Sequence, residues 1–320
     1  MKLITLVSTG LVLVLCGCGG GGPRHEPMEK YFLVCTNAKI PYWQEAGAGL
    51  AAAAKELKVQ AELVGPESYN TNAERDEFRR VVAKKPAGIL VSPGNPEVLK
   101  PEIDAAMAAG IPVITLDSDA PQSNRLFFVG TNNYQAGQMG GKFLGKLLNG
   151  KGNVVFFTIA GQTNLAERLN GYYAALAAFP GIKTTQVIDM KGDPRLAFDT
   201  TKALIDKKAA VDAFVALESL AGAEIAEVLE REKVTGKVII AMDTAATTLE
   251  WIGKGRIAAT IMQKPYTMGY YGLRALAEIV LDKQAGAKTM NATDPKAPYP
   301  VFIDTGTMLV EKSNLADVKK

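Results

Sequence analysis

The chain has 320 residues, enough for two domains of ordinary size. Apolar residues make up 48% and charged residues 22%, an ordinary globular balance. The net charge of +3 is too small and too mixed for a nucleic-acid binder.

The N-terminus, "MKLITLVSTGLVLVLCGC", places one early lysine before a mostly apolar run. That run is too short to span a bilayer and suits the apolar core of a signal peptide. Leu15, Gly17 and Cys18 fit the bacterial lipobox pattern, so the chain resembles a lipoprotein precursor. Residues 1–17 are then a signal peptide, and Cys18 carries the lipid after cleavage. A plain secretory signal is the alternative. Removing those residues takes away Lys2 and lowers the net charge to +2. Residues 18–29, with the run "GGGGPRHEPMEK", read as a flexible tether to a membrane surface. Cys35 is the one other cysteine left in the mature chain, and its apolar setting predicts a buried, inert thiol with no intramolecular disulfide.

From residue 30, short apolar β-branched runs alternate with segments of helical period. Strands are predicted over 31–36, 60–65, 88–93, 112–118, 127–131, 153–160, 183–190, 213–218, 237–243, 258–263 and 299–304. Helical segments include 43–57, 72–84, 97–109, 133–149 and 266–283. Near-continuous apolar strands separated by helices imply parallel sheets covered on both faces. So many strands fit two doubly wound sheets of about five or six, one per lobe, better than one sheet.

Ligands of such sheets bind beyond the carboxyl ends of the strands. The residues at those ends are Thr36 and Asn37, Ser92, Asp117, Glu218, Asp243 and Gln263. Each could also be a helix cap or a turn residue. Tyr42 and Trp43 stand where the first strand turns into its helix, as an aromatic ligand platform or as a staple holding that helix down. Arg168 could serve the ligand or form a surface ion pair with Glu167 or a neighbour.

Several chemistries lack their parts. The sole histidine, His25, lies in the tether, which leaves no catalytic triad and no usual zinc site. No phosphate-binding loop of the GxxxxGK[ST] type occurs. No enzymatic activity, cofactor or metal is expected.

In order and spacing, "PYW" (41–43), "GIPVITLDSD" (110–119), "VGTNNYQAGQMGG" (129–141), "AERLNG" (166–171), "IIAMD" (239–243) and "AATIMQKPYTMG" (258–269) resemble the ribose/galactose-type periplasmic sugar-binding proteins. These are relatives of the ligand domain of lac-repressor-like regulators. The resemblance runs from about Lys30 to the C-terminus. It implies the type I periplasmic binding protein fold: two doubly wound parallel-sheet α/β lobes joined by a three-crossing hinge. The first lobe would hold 30–131 and 264–297, the second 132–263 and 298–320. The family's hydrogen-bonding residues match Asp117, Arg168, Asp243 and Gln263, and its aromatic pair matches Tyr42 and Trp43. Glu218, Asn37, Ser92 and Asn133 complete the expected ligand set.

Flat rings can cover the C–H faces of a sugar, while carboxylates, guanidinium and amide pair with its hydroxyls. The chain departs from ribose binders at Ser118, at Glu218-Ser219, at Pro194 and at Ile40, which puts ribose itself in doubt. Three acidic groups against one arginine disfavour an anionic ligand. The reading is a lipid-anchored, monomeric, extracytoplasmic solute-binding protein. It would capture a neutral monosaccharide or polyol and hand it to an ABC-type permease, with no nucleic acid involved. A sensor that signals to a membrane receptor kinase is the alternative.

Overall fold

A computed structural model describes residues 25–281, 290 and 293–318. The signal peptide, Cys18 and the first part of the tether lie outside the described residues. The first sheet is built from β1 (Lys30–Val34), β2 (Gln60–Val64), β3 (Gly88–Val91), β4 (Val113–Leu116), β5 (Phe128–Gly130) and β11 (Phe302–Asp304), in the order β11-β5-β4-β3-β1-β2. The second holds β6 (Lys151–Thr158), β7 (Gly181–Asp189), β8 (Ala213–Ala216), β9 (Val238–Met242), β10 (Ala259–Met262) and β12 (Met308–Glu311), in the order β12-β10-β9-β8-β6-β7. All pairings are parallel except the antiparallel β10–β12 pair at one edge.

Position in the sheet explains the sequence of each strand. Central β3, β4 and β8 are buried at every residue, as "GILV", "VITL" and "AFVA" require when helices cover both faces. Edge strand β7 is largely exposed and carries "IKTTQ". The helices are α1 (Pro41–Leu57), α2 (Thr71–Ala83), α3 (Pro96–Ala108), α4 (Asn133–Leu147), α5 (Thr163–Leu176), α6 (Pro194–Asp206), α7 (Ala221–Arg231), α8 (Ala246–Gly253) and α9 (Pro265–Leu281). Local chemistry starts several of them. Asn70, Asn95, Asn132 and Asp193 accept backbone N–H bonds at their N-caps, and proline opens α1, α3 and α6.

Each lobe carries one helix pair pressed to backbone contact. Helix α9 packs on α1 in the first lobe, and α4 packs on α5 in the second. A Cβ at Gly49 would lie 2.0 Å from the Tyr266 carbonyl oxygen, and one at Gly269 would lie 2.0 Å from that of Ala46. In the other pair, a Cβ at Gly137 would lie 1.9 Å from the Arg168 carbonyl oxygen, and one at Gly171 would lie 2.1 Å from that of Tyr134. Glycine is the residue that permits such approach.

The chain crosses between sheets after β5, after β10 and between β11 and β12. The first and third crossings are bonded: Thr305 N–H donates to the Gly130 carbonyl at 2.8 Å, and Asn132 N–H to the Asp304 carboxylate at 3.3 Å.

Three expectations need correction. The final stretch does not belong wholly to the second lobe. Phe302–Asp304 extends the first sheet beside β5, where Phe302 stacks on Phe128 at 5.2 Å and 11°. Strand β12 lies outside the predicted set; it is four residues long and alternates too briefly to be read. The end of the expected tether is not free. His25 is buried with its Nδ1 2.9 Å from Glu29, while Gln60 N–H donates to the Glu29 carbonyl beside β2.

Candidate ligand-binding site

Two aspartates set the frame. Asp117 follows β4 and Asp243 follows β9, each with φ of +65°. That left-handed conformation is uncommon outside glycine and most tolerable in Asp and Asn. Their amides make the same bond in each lobe, to Val129 O at 3.0 Å and to Ile261 O at 2.9 Å. Both side chains line one cleft of about 540 Å³ between the lobes.

From the first lobe, Asn37, Tyr42, Trp43 and Asp117 reach this cleft. Tyr42 and Trp43 meet edge to face at 5.2 Å and 86°. Trp43 is also part of the first core, while the Tyr42 hydroxyl donates to Asp117 at 2.5 Å. The ring pair therefore anchors α1 and faces the cleft at once. From the second lobe come Arg168, Glu218, Asp243 and Gln263.

Arg168 is 2% exposed, which overturns the surface ion pair as its role. Its guanidinium donates to the Leu217 carbonyl, to Asn133 Oδ1 at 2.5 Å and to Gln263 Oε1 at 3.4 Å. Its buried Nε has no protein partner. Gln263 in turn donates to Asp243 at 3.0 Å. Glu218 accepts the Leu220 and Ala221 N–H groups at 2.6 and 2.8 Å, capping the start of α7 while facing the cleft.

Two predicted residues stand behind the wall rather than in it. Ser92 donates to Asp117 at 3.3 Å, and Asn133 accepts from Arg168; both are buried and neither lines the cleft. A buried polar network needs its donors matched, and these two supply the match.

Sequence reading passed over Asn164, Gln162, Tyr69 and Leu165, all of which line the cleft. Asn164 donates to Asp117 across the lobes at 3.2 Å. Tyr69 crosses too: a Cβ on Gly192 would lie 2.4 Å from that of Tyr69, so the lobes are closed on each other. The available signal for Asn164 was its register. It is the second residue of α5, as Tyr42 is of α1.

Burial pushes all three carboxyls upward, Glu218 and Asp243 to about 7. The Arg168 charge pulls each back down, and on Asp243 the carboxylates of Asp117 and Glu218 oppose it. Hydroxyl donors placed against these groups would favour their charged form. The arrangement can hold a compact molecule rich in hydroxyls, with an indole against one side. Among the described residues, no group of three or more His, Cys, Asp or Glu is arranged for a metal ion, and no helix is long and apolar enough to cross a membrane.

Residues 31–284 match the model of the periplasmic binding protein domain. The ribose import binding protein of Haemophilus influenzae is 28% identical over 293 residues, covering 90% of this chain and 97% of that protein. A glucose-galactose binding protein from Geobacillus stearothermophilus superposes with a TM-score of 0.82 at 30% identity, covering 90% of this chain and 99% of its own. An arabinose binding protein from the same organism gives 0.76 at 30% identity, covering 92% and 100%. With two sheets, a bonded hinge and a polar cleft at the strand ends, the chain belongs to the periplasmic binding protein domain family and has its type I fold, of the ribose/galactose type.

Proposed function

We propose that this protein captures a neutral monosaccharide or polyol between its lobes, outside the cytoplasm, and delivers it to an ABC-type permease. One observation carries the reading. A closed interlobe cleft buries Asp117, Asp243, Glu218, Arg168 and Gln263 beside the Trp43 indole. Ribose, glucose-galactose and arabinose binding by the relatives supports a sugar, and the import role of the ribose relative supports transport without chemistry. Ligand stabilises the closed form by its differential affinity for that form. Micromolar capture corresponds to about −8 kcal/mol. The mature chain acts as a monomer, tethered by a lipid on Cys18; intact-mass measurement of the membrane fraction reads that lipid directly, and an unmodified Cys18 removes the anchor.

A thermal-shift screen over pentoses, hexoses, deoxy-sugars and polyols tests the function. Ligand at a hundredfold excess over its Kd stabilises the native state by about 2.7 kcal/mol. A clear upward shift with one neutral sugar or polyol is expected. No shift with any of them, or a shift only with sugar acids or phosphates, rejects the reading.

A further inference from the structure

A second chamber of about 460 Å³, counting space open to solvent, borders the cleft, and Ile40, Tyr42, Ser219, Leu220, Asp243 and Gln263 line both. Its remaining lining includes Pro41, Glu45, Thr244, Ala245 and Pro265. Pro41 and Glu45 are exposed and mark its solvent side. Two proline rings and a methyl group offer apolar surface, while a carboxylate and a hydroxyl offer a few polar contacts. That mixture suits a ring carrying hydroxyls better than it suits a charged group.

Two residues beyond Asp117 stands Asp119, ion-paired with buried Arg125 and accepting from the Thr115 hydroxyl. Two residues beyond Asp243, at the start of α8, stands Ala245, which has only a methyl group. At this point after its aspartate the second lobe carries a methyl group, where the first carries a bonded carboxylate.

We infer that this chamber is a second subsite, and that the preferred ligand is a two-ring glycoside. One sugar ring lies in the main cleft, and a second ring, joined through one oxygen, lies between Pro41, Ala245 and Pro265. The inference rests on the reading that the main cleft holds a sugar.

The test is isothermal titration of the full-length protein with matched probes: D-xylose, D-glucose and D-galactose, their β-linked disaccharides xylobiose, cellobiose and galactobiose, and their phenyl β-glycosides. At least one two-ring probe is expected to bind about tenfold or more tightly than its own monosaccharide. A disaccharide advantage assigns the second ring to a sugar, and a phenyl advantage alone assigns it to an aryl group. Ala245→Trp is expected to remove that advantage while leaving monosaccharide affinity within about twofold, because it fills only the second chamber. If a monosaccharide binds and every two-ring probe binds more weakly, the subsite is wrong and the sugar reading stands. If the advantage survives Ala245→Trp, the second ring lies elsewhere and the inference fails. If no probe of either size binds, both the inference and its premise fall.

Discussion

In the first lobe the helix after the opening strand begins Pro41-Tyr42-Trp43; in the second it begins Thr163-Asn164-Leu165. Backbone contacts align these stretches. Ala46 and Arg168 each lend a carbonyl to a glycine of the crossing helix, Gly49 and Gly171 each meet a tyrosine carbonyl, and Asp117 and Asp243 share a left-handed turn. On this common scaffold the two lobes present different chemistry. The first supplies flat rings, the Asn37 amide and one carboxylate, while the second supplies a guanidinium, the amides of Gln162, Asn164 and Gln263, and two carboxylates. Even the paired positions diverge: Tyr42 and Asn164 both donate to Asp117, one within its lobe and one across the cleft. A repeated backbone can position a site without repeating it.

The largest effect expected tests the scaffold. Gly137→Val and Gly269→Val both drive a side chain into a facing backbone oxygen, and each should cost about 3 kcal/mol or more of stability. Urea unfolding followed by circular dichroism reads this, and a large loss in only one variant would break the equivalence of the lobes. Next comes the polar frame. Asp243→Ala should weaken binding of the best sugar from the thermal screen by about 2–4 kcal/mol, from hydroxyls and Gln263 left unpaired in a dry cleft. Calorimetry showing unchanged affinity would remove Asp243 from the site.

A smaller loss sharpens the contrast between rings and amides. Trp43→Leu makes the first lobe resemble Leu165 of the second and should weaken binding by about 1–2 kcal/mol. If titration shows stability falling while affinity holds, the indole serves the core alone. The smallest effect concerns pH. Asp243 is raised to about 7, so the folded state keeps a proton that the unfolded chain releases in the ordinary carboxylate range. Stability from this group is therefore lost as pH rises from that range to about 7, and levels off above it. Asp243→Asn, neutral throughout, should raise the Tm of the sugar-free protein by about 2–4 °C more at pH 8 than at pH 4.5. An equal change at both pH values would show that the carboxylate charge is not what burial penalises.

Legibility followed the range of each interaction. The central strands were readable because burial on both faces demands unbroken apolar runs. Asp117 and Asp243 stood out at strand ends, where parallel sheets expose ligand groups. Ser92 stood out on the same logic and Asn133 came with the expected ligand set, yet both support the cleft residues from behind. Asn164 gave only the cue of its register on α5, because its partner Asp117 lies 47 residues away, in the other lobe.

By itself the sequence determined the α/β alternation, the division into two sheets and the acidic and aromatic character of the strand ends. These depend on periodicity and on residue type, which act locally. Tertiary structure alone decided that Phe302–Asp304 joins the first sheet, that Arg168 lies buried among Leu217, Asn133 and Gln263, and that a second chamber opens beside Asp243. Each of these depends on which distant segments are brought together, and hydrogen bonds and packing between lobes leave no period in the chain.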